Sequence, residues 1–288
     1  MDNTVPVHIT PNIKMSDGQF RRFSRFIRER FGINLMPPKK SMLMSRLLKR
    51  LRALNMDSFS DYYDYLMSPE GQQNEVLYMI EVVSTNKTEF FREPAHFDFL
   101  KKVALPELIS GDREESPRKI VAWSAGCSSG EEAYTLAIII AELLEFYPET
   151  IFSILATDIS HKMLNMAEKA VYDKSAIMNI PLQYIHKYLM RGERTQNGFY
   201  RIVPKLRSCV TVRYFNLMES FSAIQVKMDF IFCRNVMIYF NRETRQGLTN
   251  KFYHQLKDGG YLFVGSSETL NGLGTEFKQA GPTIYRKI

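Results

Sequence analysis

From residue 119 onward, short apolar runs alternate with amphipathic stretches, and this alternation constrains the fold more than any other feature. The stretches 131–145, 161–170 and 242–257 have helical spacing, and Asp258-Gly259-Gly260 is predicted to close the last of them. The predicted strands are KIVAWSA, FSILATDIS, VTVRYFNL, DFIFCRNV, YLFVGSS and TIYRKI. Such a series builds an α/β fold, with a doubly wound, mainly parallel sheet. Because no helix separates the last two strands, TIYRKI is predicted to be an antiparallel edge strand.

Residues 172–210 interrupt the alternation. They contain two strand-like runs, YIHKYLM and FYRIVPKL, on either side of the polar, glycine-containing segment 191–198. We interpret this region as a small antiparallel β insert within the α/β domain.

The N-terminal part has helical periodicity instead. Ser16 and Gln19 have the spacing of a capping box, and aromatic and aliphatic residues then recur at helical intervals up to Phe31. Further helices are predicted at 41–54, 58–67 and 71–84, and another begins near Pro94, before a polar linker at 110–118. The sequence therefore predicts an all-helical N-terminal domain over 1–88 and an α/β domain over 89–288.

Charge is distributed unevenly between these two parts. Residues 1–56 carry 12 Lys and Arg against 3 Asp and Glu, whereas the remaining residues carry 26 against 28. On helix 41–54, Arg46, Lys49, Arg50 and Arg52 are predicted to lie opposite an apolar face. The cationic N-terminal domain is therefore expected to face an acidic partner.

The segment WSAGCSSGEEAY, residues 123–134, joins the first predicted strand to the first helix of the α/β domain. It is not a Walker A loop, since no Gly-Lys-Ser/Thr follows, and Glu131 and Glu132 in the first helical turn would repel a pyrophosphate. S-adenosylmethionine suits the loop better, because it combines a nucleoside with a positive charge. Asp158 ends the next strand, where an acidic side chain can accept hydrogen bonds from ribose hydroxyls. The alternatives are a glycine turn with an incidental pair of glutamates, and Asp158 as a helix N-cap.

Several classes of protein are not expected. No apolar run approaches the roughly 20 residues of a membrane span, and the N-terminus lacks the layout of a signal peptide. Three scattered cysteines and five histidines show no metal-ligand spacing, so no metal is expected. These features favour a cytoplasmic protein with reduced thiols.

The sequence resembles the CheR family, the S-adenosylmethionine-dependent methyltransferases that esterify glutamates on chemotaxis receptors. The resemblance rests on FGINL, STNKTEFFREPAHF, WSAGCSSGEEAYTLA, ATDIS, DFIFCRNVMIYF and GGYLFVGSSE, which cover almost the whole chain in the family's order. It implies a Rossmann-like methyltransferase fold, S-adenosylmethionine as cofactor with S-adenosylhomocysteine as product, and receptor methylation for sensory adaptation.

The resemblance also implies particular site residues. The implied cofactor contacts are Asn86, Thr88, Arg92, Glu131, Asp158, Asn216, Leu217, Arg234 and Asn235. Arg92 is also expected to pair with a carboxylate, and Tyr239 to wall the methyl-transfer site. Because a glutamate with a pKa of about 4.3 is already ionised at neutral pH, no general base is required. This agrees with the absence of any evident catalytic dyad in the sequence.

Two surfaces are predicted to bind the receptor. Arg46, Lys49 and Arg50 are expected to bind its acidic methylation helices, and Arg191, Gly192 and Arg194 of the β insert to bind a peptide at its C-terminus, as in some members of the family. The protein would then be recruited to receptor clusters without inserting into the membrane. The alternatives are a nucleic-acid methyltransferase, for which helix 41–54 lacks interleaved aromatic residues, and a scaffold that binds S-adenosylmethionine without transferring methyl.

Overall fold

A computed structural model describes residues 13–110 and 118–288. The chain forms two compact units that divide between Ser84 and Thr85. The predicted linker residues 111–117 lie outside the described residues.

The first unit is helical, as predicted. Its helices are α1 (Asp17–Phe31), α2 (Lys40–Ala53), α3 (Phe59–Met67) and α4 (Pro69–Val83), with a 3-10 turn at Pro37–Lys39. The predicted capping box begins α1, because Ser16 Oγ accepts from Gln19 N and Gln19 Oε1 accepts from Ser16 N. The predicted periodic residues up to Phe31 are buried, so they form the core face of α1.

The second unit contains the remaining elements. Its helices are α5 (Pro94–Phe99), α6 (Leu105–Ser110), α7 (Glu131–Leu144), α8 (His161–Lys169), α9 (Leu182–Tyr188), α10 (Pro204–Arg207) and α11 (Arg242–Gln255). Its strands are β1 (Arg118–Ala125), β2 (Thr150–Asp158), β3 (Val171–Asp173), β4 (Leu189–Arg191), β5 (Phe199–Ile202), β6 (Val210–Tyr214), β7 (Met228–Cys233), β8 (Leu256–Val264), β9 (Lys278–Gly281) and β10 (Ile284–Arg286). A π-helical turn over Leu100–Ala104 joins α5 to α6.

Seven strands form one sheet in the order β6-β2-β1-β7-β8-β10-β9. The pairs β1–β2, β1–β7, β2–β6 and β7–β8 are parallel, whereas β10 runs antiparallel to both β8 and β9. This is the doubly wound arrangement that the sequence predicts, with an antiparallel end. The outermost strand is β9, which sequence reasoning missed because its residues, Lys-Gln-Ala-Gly, have no apolar alternation.

The predicted closure of helix 242–257 by Asp258-Gly259-Gly260 is wrong. Helix α11 ends at Gln255, and Leu256 is already extended with φ −76° and ψ 146°, so helix passes directly into β8. Gly259 lies within that strand with φ 77°, and its N–H donates to Lys287 O at 3.0 Å. Its left-handed conformation therefore bends a strand instead of ending a helix.

The insert is a three-stranded antiparallel sheet in the order β3-β5-β4. Of the run YIHKYLM, only Leu189 and Met190 are extended, because Tyr184 and Tyr188 bury one face of α9 at helical spacing. The end of the second run is also helical, with Pro204 opening α10. The strand prediction is therefore confirmed for the sheet but wrong for these two segments.

Candidate functional site

The order of the strands in the large sheet reverses between β1 and β7, which makes this the topological switch point of the sheet. In open α/β sheets, ligands bind at the carboxyl ends of the strands at such a point. Residues 126–130 follow β1, and Arg234 and Asn235 follow β7. The two loops approach closely, since a Cβ on Gly126 would lie 2.5 Å from Val236 Cγ2. The glycine loop is therefore placed at the sheet's natural ligand crevice.

Glycine is needed at both ends of this loop. Gly126 and Gly130 have φ values of 92° and 97°, which residues with a Cβ rarely adopt. A Cβ on Gly130 would lie 2.9 Å from Ala167 Cβ, so its absence allows α8 to pack against the start of α7. The loop is thus fixed by conformation and by close packing.

Asp158 joins the glycine loop to the end of β2. Its Oδ2 accepts from Ser128 N at 2.9 Å and its Oδ1 accepts from Ser160 N at 2.9 Å. Burial raises the pKa of Asp158, and the hydrogen bonds from Ser160 and Ser128 oppose that shift. The N-cap of α8 is Ser160, so Asp158 does not act as the N-cap. Each carboxylate oxygen keeps a lone pair for a ligand hydroxyl.

The two glutamates after the loop have different partners. Glu131 is 7% exposed and accepts from Ser129 Oγ at 2.7 Å, and burial raises its pKa. Glu132 accepts from Ser124 Oγ at 2.6 Å and lies 3.3 Å from Arg234 Nε. Burial raises the pKa of Glu132 too, although the Arg234 charge opposes the shift. Glu131 therefore remains a candidate ligand residue, whereas Glu132 is part of an internal charge network.

Residues 85–93, which precede α5, contact the glycine loop through their backbone. Asn86 O accepts from Ser128 Oγ at 2.9 Å, which brings the predicted residue Asn86 beside Asp158's partner. Thr88 and Arg92 are partly exposed, and Arg92 Nη1 donates to Lys87 O at 3.0 Å. The backbone of Asn86 therefore contacts the glycine loop, and the cofactor contacts of Thr88 and Arg92 stay predictions.

Arg234 is predicted to contact the cofactor, but its guanidinium is engaged inside the protein. The side chain is 2% exposed, lies 5.1 Å from the Phe97 ring centroid, and donates through Nη2 to Arg92 O at 2.6 Å. Asn235 has φ 59°, and its Nδ2 donates to Glu93 Oε1 at 3.3 Å. The Arg234 guanidinium is therefore bound to the backbone of Arg92, and the cofactor contacts of Arg234 and Asn235 stay predictions.

Asn216 and Leu217 follow β6 and are almost fully buried. Phe215 N donates to Asp158 O at 3.1 Å, so this segment lies beside the end of β2. Lys251 of α11 supports it from outside the crevice. Its Nζ donates to the carbonyl oxygens of Leu217, Met218 and Glu219 at 3.3, 3.0 and 2.8 Å.

Sequence reasoning missed Glu268 as a positioning group. This carboxylate is 5% exposed and accepts from the N–H groups of Gly265, Asn235 and Ile238 at 2.5 to 2.9 Å. It thereby ties the loop after β8 to the loop after β7, which ends in the 3-10 turn Met237–Tyr239. Tyr239 is partly buried in that turn. The sequence signals were the position of Glu268 immediately after a strand and a Gly-Ser-Ser turn, and its place at the end of the segment GGYLFVGSSE.

The basic residues predicted on α2 are not equivalent. Lys49 and Arg52 are exposed, but Arg46 donates to Val83 O and Ser84 O within the same unit. Arg50 binds the buried carboxylate of Glu75. The prediction of a single exposed basic face on this helix is therefore wrong, because two of its cations satisfy internal acceptors.

Exposed cations of the first unit also lie on α1. Arg21, Arg25 and Arg28 are exposed at i, i+4 and i+7, which places them on one side of the helix. The neighbouring Arg22 instead binds Asp64 at 3.3 Å and covers the Tyr63 ring.

The predicted insert residues lie on the hairpin between β4 and β5. Arg191 and Arg194 are exposed, and Gly192 N donates to Phe199 O at 2.8 Å. A Cβ on Gly192 would lie 2.2 Å from Gln196 O, so this glycine makes room for its own loop. Glycine is therefore required at position 192 by the packing of the hairpin itself.

Residues 13–110 and 118–288 contain no group of three or more His, Cys, Asp or Glu side chains placed to hold a metal ion. Within the same ranges, every helix is too short or too polar to cross a bilayer.

Two family profiles match this chain. The CheR methyltransferase all-alpha domain matches residues 18–83, and the CheR methyltransferase SAM binding domain matches residues 86–286. A chemotaxis protein methyltransferase of Borreliella burgdorferi is 38% identical over 277 residues, which are 96% of each chain. Proteins of the same name from Salmonella typhimurium and Escherichia coli are each 35% identical, over 98% and 97% of this chain and 94% of theirs.

Proposed function

This chain belongs to the CheR methyltransferase family, and on that premise we propose that it methylates glutamate side chains of chemotaxis receptors, using S-adenosylmethionine as the methyl donor. The product would be a glutamate methyl ester that serves sensory adaptation, and the second product S-adenosylhomocysteine. We place the protein in the cytoplasm, at receptor clusters.

One observation carries the cofactor part of this proposal. The crevice at the ends of β1, β2 and β7 holds the buried acids Asp158 and Glu131 together with a glycine loop. An acidic crevice at the switch point suits ribose hydroxyls and a cationic cofactor, and it disfavours a pyrophosphate. The residues present therefore fit S-adenosylmethionine.

The chemistry requires orientation more than proton transfer. A glutamate oxygen attacks the methyl carbon in line, the carbon–sulfur bond breaks, and its electron pair stays on sulfur, which becomes a neutral thioether. Because the attacking carboxylate is already ionised, the protein needs only to align it and to exclude water. We assign alignment to Arg92, which can pair with the carboxylate, and the pocket wall to Tyr239.

We assign receptor docking to the exposed cations of the helical unit. Lys49 and Arg52 on α2, with Arg21, Arg25 and Arg28 on α1, can meet an acidic helix, whereas Arg46 and Arg50 are held by internal acceptors. Charge reversal of Lys49 and Arg52 should raise the receptor KM, most strongly at low salt, because exposed charges are screened. Unchanged kinetics would argue against a docking role for α2.

The insert offers a strand edge for the receptor's C-terminal peptide. Hydrogen bonds join residue pairs 192–199 and 188–203, so by alternation the N–H of Arg191 points away from β5. In the described part of the chain, no strand pairs with β4 on that side. An extended peptide could add there, with Arg191 or Arg194 meeting its carboxylates.

Two matched substitutions test this docking mode. Arg191→Pro removes the outward N–H while leaving the β4–β5 ladder intact, and Arg191→Ala removes only the charge. We expect the proline variant to lose affinity for a peptide of the receptor tail and to keep its affinity for S-adenosylmethionine. Wild-type tail affinity in the proline variant would exclude strand addition at this edge.

The activity itself is tested by transfer of tritiated methyl groups to chemoreceptor membranes, RNA and DNA. We expect alkali-labile label on receptor protein, as an ester requires. We expect Arg92→Ala to reduce the labelling rate strongly, to a residual rate that is still measurable, while the control Lys102→Ala, an exposed cation in the π-helical turn that follows α5, keeps the wild-type rate. Label on nucleic acid, or binding of the cofactor without transfer to any acceptor, would overturn the proposal.

A further inference from the structure

The residues on either side of Arg92 both have left-handed backbone conformations. Phe91 has φ 56° and Glu93 has φ 57°, and neither is glycine. Such conformations are unfavourable for residues with a Cβ and persist only where the surroundings enforce them. The contacts of these two residues therefore show what holds the segment in place.

Phe91 is held from the side of α7 and α9. Its N–H donates to Thr135 Oγ1 at 3.2 Å, and that hydroxyl in turn donates to Glu131 O at 2.7 Å. Its ring stacks on Tyr184 at 5.9 Å with an interplanar angle of 13°. The position of Phe91 is thus tied to the first turn of the helix that carries Glu131.

Glu93 is held from the side of β7 and β8. Its carboxylate accepts from Ser266 N at 3.2 Å, from Ser266 Oγ at 2.9 Å and from Asn235 Nδ2 at 3.3 Å. Arg234 Nε and His96 Nδ1 lie 3.7 and 3.4 Å from Glu93 Oε2. Burial raises the pKa of Glu93, but the Ser266 hydrogen bonds and the Arg234 charge outweigh it, and the pKa is lowered overall.

Arg92 itself is held through its backbone. Its carbonyl oxygen accepts from Arg234 Nη2 at 2.6 Å, and Arg234 is fixed between Glu93 and Glu132. Among the described residues, the side chain of Arg92 donates one hydrogen bond, from Nη1 to Lys87 O at 3.0 Å. The protein therefore immobilises the main chain of this residue and leaves most of its partly exposed guanidinium available.

We propose that Glu93 is a positioning residue that sets the direction of the Arg92 side chain, and so the alignment of the methyl-accepting carboxylate. This inference rests on the proposed function, because it concerns the residue assigned to align the acceptor. The uncharged amide of a glutamine cannot replace the Glu93 carboxylate. Its NH2 group is a donor and would lie against a second donor, either the N–H of Ser266 or the guanidinium of Arg234. An aspartate is one methylene too short to span the same donors.

The test compares Glu93→Gln with Arg92→Ala and with the double variant. We expect Glu93→Gln to lower kcat by about tenfold to a hundredfold, because a misplacement of about 1 Å costs up to that order. Because Glu93 binds Asn235 and Arg234, two of the predicted cofactor contacts, S-adenosylmethionine affinity is measured in parallel, and the loss of kcat at saturating cofactor should exceed any loss of affinity. Asp98→Asn, which removes an exposed carboxylate five residues further on, is the matched control and should behave as wild type.

The double variant separates positioning from general support of the fold. If Glu93 acts through Arg92, adding Glu93→Gln to Arg92→Ala will lower kcat no further, because residues in one network are non-additive. Independent, multiplying losses would overturn the inference, and so would a fall in melting temperature with unchanged kcat.

A second readout does not depend on turnover. In arginine-labelled protein, the Nε–H resonance of Arg92, assigned from Arg92→Lys, should shift in Glu93→Gln and stay in place in Asp98→Asn. An unmoved Arg92 resonance would refute the positioning role. Failure of wild-type protein to methylate receptor would instead refute the proposed function, with the resonance test still deciding the role of Glu93.

Discussion

Arg50 on α2 binds Glu75 on α4 through two hydrogen bonds, from Nε to Oε1 at 2.7 Å and from Nη2 to Oε2 at 2.8 Å. Glu75 is 2% exposed and also accepts from Tyr62 Oη at 2.8 Å. The most basic segment of the sequence therefore contributes one of its cations to the interior of the helical unit. The number of basic residues in this segment therefore exceeds the number of cations that are exposed to a partner.

This pair predicts that Arg50→Met is destabilising. The substitution leaves a buried carboxylate without its counter-charge, which costs about 3 kcal/mol or more. Urea denaturation monitored by circular dichroism measures the loss, and Arg52→Met, on an exposed position of the same helix, should cost little. The double variant Arg50→Met/Glu75→Met should recover much of the stability. Equal stability of both single arginine variants would contradict the buried pair.

Asp158 should support the glycine loop as well as the cofactor. Asp158→Ala leaves the N–H groups of Ser128 and Ser160 without their acceptors, and each unsatisfied buried group costs about 1–3 kcal/mol. We therefore expect weaker binding of S-adenosylmethionine by calorimetry and a lower melting temperature. Asp173→Ala, which removes an exposed carboxylate, is the control. Wild-type affinity in Asp158→Ala would remove this residue from the site.

The buried acids predict a pH dependence of cofactor binding. Burial raises the pKa of Glu131. In the folded protein this carboxylate is therefore protonated at a higher pH than an ordinary glutamate, whose pKa is about 4.3. The ionised acceptor is present above the raised pKa and is lost as pH falls through it. Affinity should therefore decline on acidification before ordinary carboxylates titrate.

Calorimetry over a pH series from neutral downwards checks this prediction. The decline should be shallower in Glu131→Gln and unchanged in Glu149→Gln, which alters an exposed carboxylate. A pH profile of Glu131→Gln that matched the wild type would show that Glu131 does not control binding.

Local patterns in the sequence predicted the glycine loop, the capping box of α1 and the strands that precede the site. Each of these features depends on residues that are neighbours in the sequence, so it can be recognised within one short stretch of the chain. The pairing of Arg50 with Glu75 and the clamp on Glu93 by Ser266 join residues far apart in sequence, and no periodicity encodes such contacts. For the same reason, a helical wheel could assign Arg46 to a polar face but could not show that Val83 and Ser84 bind it.

Strand β4 and helix α9 show a second limit of structure prediction from the sequence. The run YIHKYLM is rich in residues that favour strands, yet most of it is helical because packing of Tyr184 and Tyr188 decides the conformation. Tertiary contacts thus overrode local preference within the insert, whereas most strands of the long alternating region were predicted from their pattern.

Lys251 is predicted to support cofactor binding without touching the cofactor. Its ammonium group binds three consecutive carbonyl oxygens, of Leu217, Met218 and Glu219, and lies 5.4 Å from the Phe221 ring centroid. Lys251→Met keeps the length of the side chain but removes the charge and all three donors. The carbonyls would then turn towards water and move Leu217 and Asn216, two of the residues assigned to the cofactor.

We expect Lys251→Met to weaken S-adenosylmethionine binding by about 1.5 kcal/mol, roughly the value of one hydrogen bond to a charged group. The exposed neighbour Asn250→Ala serves as the control on the same helix. Since Lys251 lies outside the transfer site, kcat at saturating cofactor should remain near the wild-type value while the KM for S-adenosylmethionine rises. A lower kcat with unchanged cofactor affinity would show that the loop at 216–219 serves the acceptor instead.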